Sequence, residues 1–253
     1  MNINSGSIQD VPALKTLWQQ AFGDSDAFAD LFFQKGFSIE RSRCIYKDGS
    51  PVAALYWFDC LWQDQKIAYL YGIATDKAFQ NQGLCRALME DTHHHLSQLG
   101  YVGAVLVPAS SGLFSLYEKF GYRAFCPMER RTFEADRGQP VALRDISPEE
   151  YARLRRSFLP ESALLQEGDA LTFLSGFARF CAGENLLFCG SREENKLHFQ
   201  EFFGDPSAVS SIIHTLDATC GAVRLYGTGP DFAMYLPLAE KSFLPAYFGI
   251  AMD

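Results

Sequence analysis

The spacing of apolar positions along the chain changes several times, and each change marks an element. Leu14, Leu17, Trp18 and Phe22 recur at helical spacing behind Asp10, which can cap a helix, and Gly23-Asp24 ends it. Phe28, Leu31 and Phe32 predict a second helix that stops at Gly36. The period then shortens. Cys44 to Lys47 and Val52 to Phe58 flank Asp48-Gly49, a strong hairpin signal, and a turn at Gln63-Asp64-Gln65 leads into a third meander strand, Lys66 to Ile73. Leu84, Ala87, Leu88, Leu96 and Leu99 form the stripe of a long amphipathic helix that opens after Gly83 and closes at Gly100. Tyr101 to Val107 is nearly all apolar, as a central strand covered on both faces should be. A short helix around Tyr117 follows the loop Pro108 to Gly112, and Tyr122 to Phe133 can supply hairpin strands that finish the sheet.

The stretch Phe133 to Pro140 is the expected boundary. Beyond it, Pro148 to Phe158 reads as a charged helix whose Arg153, Arg155 and Arg156 form a solvated face. Leu186 to Cys189 and Lys196 to Phe203 flank Glu193-Glu194-Asn195 as a second hairpin. Asp205-Pro206 opens a helix running to about Asp217, and Ala222 to Tyr226 and Phe232 to Leu236 predict further strands. The order hairpin, strand, helix, strand repeats that of residues 44 to 107, as in a tandem duplication, but Gly204 to Val209 has no glycine at the helix opening. The apolar tail Tyr247 to Met252 is expected to pack inward as a strand.

Composition narrows the partners. With 48% apolar and 21% charged residues, 253 residues can build two ordinary cores. The formal charge of −8 disfavours nucleic acid and anionic membrane surfaces, which demand a basic face. Seven cysteines, an odd number with no Cys-x-x-Cys pair, read as reduced thiols packed as small hydrophobes. No targeting pattern opens the chain, and no apolar run nears the roughly 18 residues of a membrane span, so a cytoplasmic protein is expected.

The chemistry gathers around Gly83. A strand, a tight glycine turn and a helix N-terminus present unpaired backbone N–H groups and a positive dipole end to a phosphate. About thirty residues later, Leu116-Tyr-Glu-Lys-Phe-Gly-Tyr122 sets a tyrosine on a short helix. With both pieces in place, residues 1 to about 135 resemble the GNAT superfamily of N-acyltransferases. The family signature Arg/Gln-x-x-Gly-x-Gly/Ala is matched by Gln80-Asn-Gln-Gly-Leu-Cys85, and its later Leu-Tyr-Glu-Lys-x-Gly-Phe/Tyr by Leu116 to Tyr122. The sequence departs from the pattern at Cys85, at Ser110 where many members carry Asn, and in the strand Lys66 to Ile73, which lacks the glutamate several members use as a base. The tandem layout is similar to Eis-type two-domain members, and their sterol-carrier-like third domain is not expected here.

That resemblance implies an α/β fold with an α+β mixed sheet: an acetyl-CoA-binding catalytic domain over 1–135 and a degenerate copy over 136–253. It implies acetyl-CoA as co-substrate, no metal, and a small-molecule or peptide amine as acceptor, with the oligomeric state, monomer or homodimer, left open. Backbone groups of Ile73, Ala74 and Thr75 would meet the thioester and pantetheine arm. Those of Gln82, Gly83, Leu84, Cys85 and Arg86, with Gln80 and Asn81, would hold the pyrophosphate, and Ser110 and Phe114 would flank the cofactor. Tyr117 is implied as general acid or thiol-orienting donor. On residue pattern alone it also reads as a core tyrosine, spaced with Leu113 and Phe120 along one helix face. Asp59, Asp76 and the terminal Asp253 are candidate bases. His93-His94-His95 cannot converge on one metal ion, since consecutive helical residues point about 100° apart; a solvated face is expected, with His95 partly in the core. A non-catalytic acyl-CoA-binding or interaction protein is the alternative, and peptidyl- or aminoacyl-tRNA-linked transfer is disfavoured by the charge.

Overall fold

In the computed structural model, contacts divide the chain into unit 1, Met1–Arg123 with Met234–Leu244, and unit 2, Ala124–Ala233 with Pro245–Asp253. The structure describes residues 2–136, 138, 140–240 and 243–252. Asp253 and two residues of the expected boundary stretch, 137 and 139, lie outside the described residues.

Unit 1 begins with β1 (Asn2–Asn4), α1 (Val11–Phe22) and α2 (Asp26–Leu31). Asp10 acts one turn earlier than expected: its carboxylate accepts from the Ser7 backbone N–H at 3.0 Å and closes the short turn before α1. Leu14, Leu17 and Trp18 are buried as the stripe predicts, but Phe22, in the last turn beside the left-handed cap Gly23, is exposed. A meander of β2 (Ser42–Lys47), β3 (Ser50–Trp62) and β4 (Gln65–Thr75) follows. Asp48 and Gly49 take φ of 50° and 80°, as the tight hairpin turn requires. The stack of Trp18 on Phe32, centroids 4.4 Å apart, joins Tyr56 and Tyr71 in an aromatic layer on one face of the meander.

The other face carries α3 (Leu84–Gln98), then β5 (Gly103–Leu106) and α4 (Phe114–Glu118). Leu84, Leu88, Met89 and Leu96 of α3 enter the core with Leu55, Trp57 and Leu70. Leu99, expected in that stripe, is 46% exposed because the helix has already ended at Gln98. The histidine triplet also differs from expectation: His93, not only His95, turns inward, with Nε2 2.8 Å from the Tyr122 hydroxyl. Burial lowers the His93 pKa to about 4.

Unit 2 contains β6 (Arg123–Glu134), β7 (Arg144–Asp145), α5 (Pro148–Arg155), β8 (Leu165–Gln166), α6 (Asp169–Leu174), β9 (Arg179–Gly183), β10 (Leu186–Glu193), β11 (Lys196–Phe203), α7 (Val209–Thr215) and β12 (Cys220–Pro237). β9, β10 and β11 are antiparallel, and β11 pairs parallel with β12. Val209, Ile212 and Ile213 of α7 pack on Phe188, Leu197, Phe199 and Val223. Residues 123 to 134 form a single strand rather than a hairpin, and the two strands expected over 222 to 236 are one. Gly227 and Gly229, with φ of 92° and 90°, bend that strand where a break was expected. Its last residues, Met234–Pro237, belong to unit 1 and pair antiparallel with β5. Each unit therefore holds both parallel and antiparallel strand pairs, and the units interleave along the sequence.

Arg155 overturns the reading of its helix as a solvated face. It is 1% exposed and gives the Glu201 carboxylate two hydrogen bonds, 2.7 Å from Nε and 2.8 Å from Nη2. Tyr151 and Tyr247 hydroxyls donate to the same carboxylate at 2.7 and 2.8 Å. A buried charge is tolerated only when so fully paired. Tyr247–Met252 is buried as expected, but not as a strand: beyond a single bridge from Tyr247 to Ala163, side chains hold it. The carbonyls of Gly249, Ile250 and Ala251 accept from the Tyr226 hydroxyl, Gln166 Nε2 and Arg224 Nη1 respectively. A Cβ at Gly249 would fall 1.8 Å from Glu201 Oε1, so only glycine fits.

Candidate active site

β4 and β5 are parallel but share a ladder only from Ile67 to Tyr69, opposite Gly103 to Val105. β4 then continues to Thr75, still paired with β3 on its other side. Past Tyr69, its β5-facing edge therefore has no ladder among the described residues. The register against β3 steps from Ala54↔Ala74 to Tyr56↔Tyr71, leaving one extra residue in β4 at Gly72–Ile73. This bulge kinks the strand where it parts from β5. Gly72 is required twice over, by φ of 62° and by the Trp18 ring 2.5 Å from where its Cβ would stand. Ile73 and Thr75 are half-buried and Ala74 is buried along this edge.

The strand runs straight into the glycine turn. The Asp76 carboxylate accepts from the Ala78 N–H at 2.8 Å, and Gln80 Nε2 donates to the Thr75 carbonyl at 3.2 Å. Asn81 and Gly83 both take left-handed conformations, with φ of 59° and 78°. Gly83 caps α3 without a side-chain hydrogen bond, and a Cβ there would meet nothing within 4 Å. Gln80, Asn81, Gln82 and Gly83 are exposed, Leu84 is buried beneath them, and Arg86 projects outward. The helix thus presents its positive end to open space.

Two cations flank this end. Arg86 lies over the Phe120 ring at 5.0 Å, and Lys47 lies over Phe79 at 4.6 Å while donating to Gln82 Oε1 at 3.0 Å. Lys47 escaped the sequence reading because it ends β2, 35 positions from Gln82. The only available signal was its place at the last strand position before the Asp48-Gly49 turn.

Tyr117 is buried on α4 in the cluster that holds Leu84 and Leu88, with Cys85, Leu113, Phe114 and Phe120 packed against it. Burial, with a smaller contribution from Cys85, pushes its phenol well above the ordinary range, so it remains protonated. The Cys85 thiol is pushed up as well, by burial, which suits a small packing residue better than a nucleophile. Ser110 is exposed and starts the turn that precedes α4. Among the carboxylates, Asp76 serves as a cap. Asp59 pairs across from Ala68, at the opposite end of β3 from Ala53↔Thr75. It stands six strand positions from Ala53, the partner of Thr75, about 20 Å away. There it accepts from the Tyr101 hydroxyl and faces Arg41 at 3.7 Å. Among the described residues, no three His, Cys, Asp or Glu side chains gather as a metal site, and no helix is long and apolar enough to cross a membrane.

Residues 2–125 match the family model of the acetyltransferase (GNAT) domain. Residues 2–125 thus form a domain of the GNAT superfamily, a family of acyltransferases that use acyl-CoA and act on small-molecule or protein amines. Solved structures of the same fold include a GCN5-related N-acetyltransferase from Anabaena variabilis, 15% identical with a TM-score of 0.73, covering 94% of this chain and 73% of that one. Another is Eis1 from Mycobacterium abscessus, 12% identical with a TM-score of 0.63, covering 94% and 74%. A GCN5-related N-acetyltransferase from Sphaerobacter thermophilus is 12% identical with a TM-score of 0.58 over 97% and 98%. No curated protein matches the chain in sequence.

Proposed function

We propose that the chain is an N-acetyltransferase that uses acetyl-CoA and passes the acetyl group directly to a primary amine. The observation that carries this reading is the continuity of the unladdered edge of β4 with the open, glycine-capped N-terminus of α3. Acetyl-CoA supplies the activated acyl group and a thiol that can leave. The free edge over Ile73, Ala74 and Thr75 suits an extended amide-bearing arm added as a strand, and gives N–H groups to polarise a carbonyl oxygen. The N–H groups of Gly83 to Arg86, beside Gln80, Asn81 and Gln82, suit the pyrophosphate, with Lys47 as an added counter-charge. Ser110 and Phe114 lie on the segment that brings in Tyr117. A phenol at its ordinary pKa gives up its proton to a thiolate uphill by about 2 kcal/mol, and burial increases that cost. Tyr117 therefore serves best as a hydrogen-bond donor that steadies the leaving sulfur.

Residues 136–253 read as a degenerate copy without a cofactor. β10, β11, α7 and β12 repeat the order of β3, β4, α3 and β5, and β11 also leaves β12 after four paired residues, Lys196 to Phe199. No left-handed glycine opens α7. The turn before it is capped by Asp205, whose carboxylate takes the Ser207 N–H at 2.9 Å. The seven free cysteines fit a reducing, cytoplasmic setting. Asp253 remains a candidate base by its place after the buried tail.

Calorimetry with CoA tests the reading: one site per chain is expected, and Gly83→Glu should abolish it through strain, bulk and charge. Thiol release from acetyl-CoA over a mixed amine panel tests turnover. Because β4 carries no carboxylate base, a second reading is an acyl-CoA-binding protein without catalysis. One tight site with no thiol release on any amine would select it, and two equivalent sites or none would sink the cofactor assignment.

A further inference from the structure

Unit 2 holds a cleft of about 310 Å³ on the sheet face opposite α7, lined by none of the residues assigned to acyl transfer. In unit 1 the equivalent face is sealed by the aromatic layer of Trp18, Phe32, Tyr56 and Tyr71. In unit 2 it is polar, lined by Arg130 of β6, Ser191 and Glu193 of β10, His198 and Gln200 of β11, and Arg224 of β12. Gln200 is the extra residue of a bulge, since Gly190 pairs with Phe199 and Cys189 with Glu201. A bulge re-aims its side chain and often sits beside a binding site. Gln200 is 9% exposed, and its Nε2 donates to Ser191 Oγ at 2.8 Å. Its Oε1 is fully buried with no hydrogen-bond partner among the described residues, and the same holds for His198 Nε2, which stands 3.5 Å from Glu193 Oε2 without bonding it.

Buried acceptors left unpaired are rare, because the missing bond costs the full desolvation of the group. We propose that this cleft binds a small amino carboxylic acid. Arg130 and Arg224 supply planar donors suited to a carboxylate, and Arg224 is already oriented by its hydrogen bond to the Ala251 carbonyl. The exposed Glu193 carboxylate and the unpaired Gln200 Oε1 supply what an ammonium group needs. His198 faces Arg130, Lys196 and Glu193; burial keeps it neutral near pH 7, so the lining carries two positive charges against one negative. The volume is at the small end of ligand pockets, suited to a molecule of amino-acid size.

The test is calorimetric titration of the full chain with L-alanine, L-glutamate and L-lysine, with the deaminated acids propionate and glutarate, and with inorganic phosphate. At least one amino acid should saturate a single site. Arg130→Ala should weaken it by about 10- to 100-fold, the range for a lost charge-assisted bond. Glu193→Gln should weaken the amino acid but leave the deaminated acid unchanged, which isolates the ammonium contact. Both side chains are exposed, and unchanged CoA binding in each variant would confirm an intact fold. The proposal is overturned if no amino acid saturates, if phosphate binds as tightly as the best amino acid, or if Arg130→Ala changes nothing.

Discussion

In unit 1, β4 leaves β5 after Tyr69 and runs beside the exposed turn at Gly83, while in unit 2, β11 leaves β12 after Phe199 and the chain's own tail lies against the parted ends. Tyr226 of β12 donates to the carbonyls of both Gln200 on β11 and Gly249 in the tail, and Glu201 of β11 takes the Tyr247 hydroxyl. Parted parallel strands strand their backbone groups, and something must answer them. Unit 2 answers with residues of its own and a buried ion pair; unit 1 leaves an edge that a ligand can complete.

Glu201→Ala gives the hardest test of the filled version. It strands Arg155 in the core, and a loss of about 3–5 kcal/mol in unfolding free energy is expected from denaturant titration. A loss under 1 kcal/mol would show that the tail is loosely held. For the open version, Tyr117→Phe should keep fold and CoA affinity while lowering turnover by about 10²–10³-fold in a thiol-release assay, the range for one lost transition-state donor; wild-type turnover would make Tyr117 a packing residue. A smaller effect separates the units by pH. His93 of unit 1 is held neutral, so protonation favours the unfolded chain: stability is complete above about pH 6.5 and falls as pH drops toward about 4, by up to about 3 kcal/mol. Thermal melts of His93→Gln should be flatter over that window. The smallest effect is at Lys47, where Lys47→Ala should weaken CoA by about fivefold, less at high salt.

Local signals carried much of this into the sequence. Asp48-Gly49 and Gly83 announce their turns because few residues tolerate positive φ, and the α3 stripe follows from helical period alone. What stayed hidden depended on distant partners. Arg155 looks like any helix-surface arginine until Glu201, 46 positions away, meets it. Lys47 acquires meaning only from Gln82, and His93 turns inward for Tyr122. Gly227 and Gly229 read as a break because a glycine pair marks a turn more often than a bend within one strand.

The crossing of β12 from unit 2 into unit 1 also sets an order in time. β5 ends at Leu106, yet the strand that completes it, Met234–Pro237, leaves the ribosome about 130 residues later. At 5–20 residues per second, β5 waits roughly 6–26 s with one edge unpaired. The N-terminal unit therefore cannot mature first, although its signature motifs come first. A fragment ending at residue 135 would expose that edge permanently, and should aggregate where the full chain stays soluble.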